Sequence, residues 1–402
     1  MPAARPPRAA PGWRGRATRA EIDLDALTGN VAALRAVLPP QAALMAVVKA
    51  NAYGHGAVTI AREALAAGAA RLAVATVGEG RALRAAGIAA PVLVLGAIDP
   101  TEAAEAIRQQ LELTVGTEEL LEAVADAACR AEAEQPVAIH VKVDTGLHRY
   151  GAKPALALAL ARRAAANPLL RLAGISSHFA TADEPDVSFA AEQAIVLAAC
   201  AEALRAEGIT PETVHAGNSA GSLRRLFTGA TVIRPGIALY GIPPSDAVPL
   251  PPGVRPVMTV RSRIERVFDL KPGDTVGYGR TYRCERTERA LLVPIGYADG
   301  YARALSNRGW VGFAGQRAEI IGRVSMDQCV VRAPESVAAR VGDEITVFGG
   351  APEEAAPSAR GLADLLGTIP YEVLTGVAIR VPRVYVRHGE IVAAEDLNGL
   401  TS

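Results

Sequence analysis

Lysine is the residue this chain most conspicuously lacks. Of 42 basic residues only Lys49, Lys142, Lys153 and Lys271 are lysines, and the others are arginines. Cysteine is sparse as well: Cys129, Cys200, Cys284 and Cys329 are scattered without paired spacing, which argues against a disulfide framework or a zinc site and fits a reducing cytoplasm. No stretch of about 18 unbroken apolar residues is present, so nothing is expected to span a membrane. Net charge is lacking too. Lys plus Arg and Asp plus Glu balance at 42 each, so no global field draws the chain to nucleic acid or an anionic membrane, and small molecules and copies of itself are the expected partners.

What is present is length for two domains and an apolar half of the composition to fill their cores. The opening MPAARPPRAAPGWRG has no apolar signal core, and its prolines oppose the amphipathic helix of an organellar presequence. Residues 1–17 are therefore expected to form a disordered extension.

From residue 18 to 245, short β-rich runs alternate with Ala/Leu/Arg segments of helical period. The runs are ALMAVVKA (43–50), RLAVAT (71–76), PVLVLG (91–96), LELTVG (111–116), VAIHVKVDT (137–145), LAGISSHF (172–179), TVHAG (213–217) and TVIRPG (231–236). Parallel strands need crossover helices, and eight such repeats predict an α/β fold, a (β/α)8 TIM-type barrel. The proline-rich GIPPSDAVPLPPGVRPV (241–257) breaks the alternation. Residues 246–402 then read as a C-terminal, mostly antiparallel β domain with one helix near 358–366. The acidic-apolar run at 21–24 is a candidate extra strand pairing with that domain.

A barrel gathers its functional groups at the C-terminal strand ends. Lys49, in AVVKANAYGHG (46–56), stands at the first. Snorkelling is the bland account of such a lysine, but its scarcity, its apolar neighbours and its position favour an amine that sheds its proton and forms a Schiff base. Asn218, Ser219 and the amides near Gly236 follow strands seven and eight, where this fold commonly holds a phosphate. Ser219 could equally cap a short helix. Arg234 is read as lying inside the eighth strand, where it must face a carboxylate, a phosphate or a ligand acceptor. His178 is as readily a satisfied core histidine as a functional one. His55, His148 and His215 also follow or end strands, and no histidine has metal-ligand spacing, so no metal is implied.

AVVKANAYGHG, KVDTGLHRYG, SHFATAD, GNSA, IRPGIALYG, VGYGRTY, PIGYADGY, MDQC and RVPRVY occur in order over nearly the whole chain after residue 18. As an ordered set they closely resemble the alanine racemases, which use pyridoxal 5'-phosphate. The resemblance implies interconversion of L- and D-alanine, D-alanine supply for peptidoglycan, and a homodimer in which the second domain of one subunit covers the barrel mouth of the other. It implies that Lys49 holds the cofactor and serves as one base, with Tyr278 of the partner chain as the other. A phenol with a reference pKa of about 10 is a poor base at neutral pH, so positive charge must help; the family arrangement links His178 to the phenol and to Arg234. Arg234 matches the residue at the pyridine nitrogen, and Tyr53, Ser219, Gly236 and Ile237 the phosphate set. Arg149 and Met326 match the contacts to the substrate carboxylate, and Lys142 a position carbamylated in some members. Ile379 stands where some relatives carry an aromatic residue, and reads equally as pocket wall or as packing.

Three other readings share parts of this pattern. A racemase for serine or a larger side chain differs in pocket width. A barrel that only carries the cofactor needs neither a second domain nor an opposing base. A decarboxylase usually wants an acid where Arg234 stands.

Overall fold

In a computed structural model, residues 13–39, 42–132 and 135–401 are described. The bulk of the expected extension, residues 1–12, lies outside them. Residues 13–17, expected to be disordered with it, are instead tied down: the Trp13 indole donates to Arg16 O at 2.9 Å, and Arg16 pairs with Asp299.

After a first strand, β1 (Arg19–Asp23), eight short parallel strands follow: β2 (Ala43–Val47), β3 (Arg71–Val74), β4 (Val92–Val94), β5 (Glu112–Val115), β6 (Val137–Lys142), β7 (Leu170–Ser176), β8 (Thr213–His215) and β9 (Val232–Ile233). Their order is β8-β7-β6-β5-β4-β3-β2-β9. Backbone hydrogen bonds from Thr231 N to Val214 O and from Arg234 N to Gly217 O, each 3.0 Å, join the two ends into a barrel. All eight runs read from the sequence form strands. Their near-continuous Val, Leu and Ala suit strands covered on both faces, and β4, β5 and β6 are buried throughout.

Contacts divide the chain into two units. One comprises residues 27–52 and 57–255, and the other residues 1–26, 53–56 and 256–402. The second therefore includes β1 and a four-residue piece of the loop after β2, where the linear reading placed 18–245 together.

The second unit holds β10 (Met258–Arg263), β11 (Arg266–Leu270), β12 (Thr275–Val276), β13 (Tyr282–Arg283), β14 (Glu288–Val293), β15 (Trp310–Phe313), β16 (Gln316–Glu319), β17 (Cys329–Arg332), β18 (Glu344–Phe348), β19 (Arg383–Arg387), β20 (Glu390–Asp396) and β21 (Gly399–Thr401). Its main sheet runs β16-β15-β18-β10-β1-β19-β20-β21. β1 sits between β10, antiparallel, and β19, parallel, so the candidate strand at 21–24 does pair with this domain. The other pairings of the sheet are antiparallel. The expected helix appears at Ala359–Leu366, capped by the Ser358 hydroxyl, which accepts from Gly361 N; a second, Pro370–Thr375, was not anticipated.

Candidate active site

β2 ends at Val47, and Lys49 follows at the barrel's C-terminal rim, half-buried. The chain then does something L-residues resist. Ala50, Asn51, Ala52 and Tyr53 all adopt the left-handed region, with φ of 51°, 53°, 53° and 53°. Such a turn costs about 1–2 kcal/mol per residue, so its neighbours must hold it. Ala52 N donates to Val48 O at 2.8 Å, and Ala57 N to Asn51 Oδ1 at 2.7 Å. The strongest brace is Glu79. As the third residue of the Thr76 capping box its Oε2 accepts from the amides of Ala75 and Thr76, while its Oε1 takes the Ala50 amide at 2.7 Å. One carboxylate thus caps a helix and anchors the residue after Lys49.

Burial lowers the Lys49 amine below the usual lysine range; Arg149 adds to the effect, Glu79 opposes it and Arg234 reinforces it. Lys142, the last residue of β6, is buried, with Nζ 3.4 Å from Ser177 O. Its amine is lowered far more, by burial first and then by Arg234 and Arg149, with Asp144 opposing. Arg149 is exposed on a loop shaped by Asp144, whose Oδ1 accepts from the amides of Gly146 and His148.

Arg234 lies one residue beyond β9 rather than inside it. It finds no carboxylate among the described residues. Its Nη2 donates to Ser177 O at 2.8 Å and Ala216 O at 3.0 Å and reaches His178 Nδ1 at 3.3 Å, while Nη1 donates to His215 Nδ1. Burial pulls the guanidinium down to about 10, still cationic at neutral pH. A guanidinium can only donate, so each imidazole must accept at Nδ1 and, when neutral, carries its hydrogen on Nε2. His215 Nε2 then donates to His140 Nδ1 at 3.0 Å, and His140 Nε2 to Glu112 Oε2 at 3.0 Å. Arg71 closes the row by donating to both oxygens of Glu112. Burial holds both histidines below the ordinary imidazole range, so they stay neutral.

His178 is half-buried and lies well below its ordinary value, through burial and then the charges of Lys142, Arg234 and Arg149. Gln193, fully buried, fixes its backbone by donating to His178 O at 3.1 Å and accepting from Ala180 N at 2.8 Å.

The helix cap beside the expected phosphate position is Asn218, whose Oδ1 accepts from Gly221 N at 2.9 Å; Ser219 is the first helical residue instead. Buried Ser219 Oγ accepts from the amides of Gly236 and Ala238 at 2.9 and 3.2 Å. Two accepted bonds turn its own hydrogen outward as a donor. The Gly236 amide, expected to serve a phosphate directly, is engaged by Ser219.

The second unit contributes separately. Tyr53, buried, has its ring 6.0 Å from that of Tyr371, and burial followed by that neighbour raises its phenol above the usual range. Tyr278 is 72 % exposed and Met326 52 %. They share one open concavity of about 400 Å³ with Gly277, Ser325, Asp327 and Gln328. Gly277 and Gly279, with φ of 69° and 72°, flank the tyrosine and permit the turn that presents its phenol. Ile379 is 72 % exposed, which removes the reading of it as packing within this chain.

The sequence reading did not find Glu79, Gln193, His140, Glu112 or Arg71. A carboxylate and a histidine written into otherwise apolar strand runs, LELTVG and VAIHVKVDT, were the available signal for two of them.

The family description "Alanine racemase, N-terminal domain" matches residues 22–244, and "Alanine racemase, C-terminal domain" matches residues 257–385. This chain belongs to the alanine racemase family. An alanine racemase of Geobacillus stearothermophilus is 42 % identical over 390 residues, covering 96 % of this chain and 97 % of the relative, and one of Desulfovibrio desulfuricans is 41 % identical over 367 residues, covering 91 % and 97 %. Among solved structures, the alanine racemase of Clostridium difficile superposes with a TM-score of 0.90 at 32 % identity, covering 96 % of this chain and 99 % of that one. That of Streptomyces lavendulae gives 0.87 at 40 % identity, covering 93 % and 98 %. The chain is accordingly an enzyme, an isomerase of amino acids, on the barrel-plus-β architecture that alanine racemases share.

Proposed function

We propose that this alanine racemase interconverts L- and D-alanine by a two-base mechanism, with pyridoxal 5'-phosphate held on Lys49 and the active site completed by Tyr278 and Met326 of a second copy. The observation that carries the reading is the exposure of Tyr278 and Met326 in one concavity, where two large side chains otherwise have no reason to face water together.

The donor set of the barrel fits that cofactor. A depressed amine suits covalent attachment, the Ser219 hydroxyl points a hydrogen outward, and Arg234 can donate to an unprotonated pyridine nitrogen without protonating it. Asn218 supports Ser219 as the helix cap, and Tyr53 and Ile237 are read as further phosphate contacts on the resemblance. When bound, the cofactor would supply an electron sink for the substrate α-carbon.

The chain's own residues do the rest. Lys49, lowered by burial and neighbouring arginines, takes or returns the α-proton on one face. Tyr278 acts on the other face and handles the L-isomer. His178, neutral with its hydrogen on Nε2, is a donor to the phenol oxygen and steadies it when it gives up its proton. Arg149 and the Met326 backbone hold the carboxylate. Lys142, an amine that burial and neighbouring cations push toward its neutral form, suits reaction with carbon dioxide to a carbamate, whose negative charge would orient Arg149. The reading extends to a cytoplasmic enzyme supplying D-alanine for peptidoglycan. No helix among the described residues is long and apolar enough to cross a membrane.

Subunit mixing tests the shared site. Lys49→Ala and Tyr278→Phe homodimers should each be inactive, and co-refolded mixtures should regain racemisation in the one site per heterodimer that holds both wild-type residues. Mixtures as inactive as their parents, with heterodimers present, overturn the shared site. A wild-type protein without absorption near 420 nm after incubation with the cofactor overturns the role of Lys49.

A further inference from the structure

Asp299 is a carboxylate with no exposure at all, inside the turn that carries Tyr297. Two arginines meet it. Arg16 Nη1 lies 2.7 Å from Oδ1, and Arg380 Nε donates to the same oxygen at 2.7 Å, while Oδ2 accepts from Gly296 N at 3.0 Å. Burial pushes the carboxyl up, but Arg16, Arg380 and the Gly296 amide outweigh it, so Asp299 stays ionised.

The turn around Asp299 is fastened to the concavity that holds Tyr278. Tyr297 N donates to Ser325 O at 3.1 Å and Ala298 N to Met326 O at 3.0 Å. The two backbones are so close that a Cβ on Gly296 would stand 2.3 Å from both carbonyl oxygens. Arg380 extends the connection on the other side, with Nη2 donating to Asp327 Oδ1 at 2.7 Å. Arg16 also donates to Arg380 O at 3.2 Å, and its own carbonyl receives the Trp13 indole. Thr18, two residues on, donates to Pro294 O at 2.7 Å.

We propose that Arg16 is a positioning residue for substrate: through Asp299 it sets the pose of the Ser325–Asp327 backbone, and so governs how firmly the substrate carboxylate is held. This rests on the reading that Met326 contacts that carboxylate. Arg16 touches no reacting atom. Its removal should therefore weaken binding while leaving the proton transfers intact, because Asp299 keeps Arg380 and the Gly296 amide.

The test compares the holoenzyme with Arg16→Ala and Arg16→Lys. Expected for Arg16→Ala is a rise of about five- to tenfold in KM for both isomers and in the inhibition constant of propionate, a carboxylate without the amine, the size of one ordinary hydrogen bond lost through the backbone. kcat and the absorption near 420 nm should be unchanged, Arg16→Lys should recover part of the loss, and low-millimolar guanidinium should restore propionate binding in Arg16→Ala. An Arg16→Ala enzyme with wild-type KM and propionate binding overturns the proposal. So does one in which kcat and melting temperature fall together with a rise in KM and without guanidinium rescue, the mark of a merely structural arginine. A wild-type protein inert toward alanine would instead overturn the functional reading beneath it.

Discussion

Arg234 donates to Nδ1 of His215, and that single contact sets the hydrogen positions of a buried row that ends at Glu112. Every donor in the row points the same way, from the guanidinium at the barrel's C-terminal end toward a carboxylate that Arg71 neutralises.

Glu112→Gln removes the charge on which the row terminates. The loss should be about 1.5–3 kcal/mol of stability, the value of hydrogen bonds to a charged group, with lower kcat at unchanged KM if Arg234 shifts as a result. The pH dependence has a definite sign. The native carboxyl lies below its ordinary 4.5, so its stabilisation is full above that value and fades as pH falls through the native pKa. His140 and His215 act higher. Their native values are lowered from 6.5, so the unfolded chain takes up protons first and wild-type stability should decline below about pH 6.5. His140→Asn should flatten that decline in denaturation midpoints measured between about pH 5 and 7.5; a slope identical to wild type would mean that His140 takes up its proton alike in the folded and unfolded chain.

Tyr278→Phe should bind the cofactor with unchanged absorbance and lose exchange of the L-alanine α-proton in deuterated solvent. Retention of near-normal turnover would remove Tyr278 from the mechanism.

Glu79→Ala should free the Ala50 amide and the start of the left-handed turn. A helix cap is worth about 1 kcal/mol and a charge-assisted bond about 1.5–3 kcal/mol; with roughly half of that loss felt at the cofactor site, apoenzyme affinity for pyridoxal phosphate should fall by at least about tenfold. Asn51→Gly should be milder than Asn51→Val, since only glycine accepts a φ of 53° at little cost while a β-branched residue resists it. Equal affinities across this series, by fluorescence titration, would show that the turn does not serve the site.

Lys142 should take up labelled carbon dioxide. A carbonyl resonance in the 13C spectrum after exposure to labelled bicarbonate, absent in Lys142→Gln, is the expected result. The reaction needs the neutral amine, which burial and the surrounding cations favour. A wild-type spectrum without that resonance would leave Arg149 oriented by Asp144 and its own loop alone.

The eight barrel strands were legible because a strand buried on both faces must be written almost wholly in Val, Leu, Ile and Ala, as in Val92–Val94. Lys49 and Arg234 stood out as charges at the ends of such runs. Glu79 did not, because a capping-box glutamate has the same sequence signature whether or not its second oxygen reaches another loop. The left-handed turn was equally hidden: Ala-Asn-Ala would suit an ordinary helix, and its hand depends on bonds to Val48, Ala57 and Glu79, distant in kind from any local propensity. The expectation of a phosphate, carboxylate or ligand opposite Arg234 missed the His215 imidazole and the row behind it, since His140 and His215 meet only when β6 and β8 close around the same interior. The pairing of Arg16 was missed for a similar reason, as Asp299 lies nearly three hundred positions further along the chain.

The placement of β1 between β10 and β19 has a consequence for biosynthesis. Glu21 precedes every barrel strand, yet its register partners are Thr259 and Val384. The barrel strands are complete once β9 has left the ribosome, whereas the nascent β1 must wait for β10 to cover one edge and for β19, much later, to cover the other, in danger of wrong pairing meanwhile. Fusions or truncations at the amino terminus should therefore disturb maturation of the carboxy-terminal sheet, and the slowest step of folding should be the capture of this waiting strand.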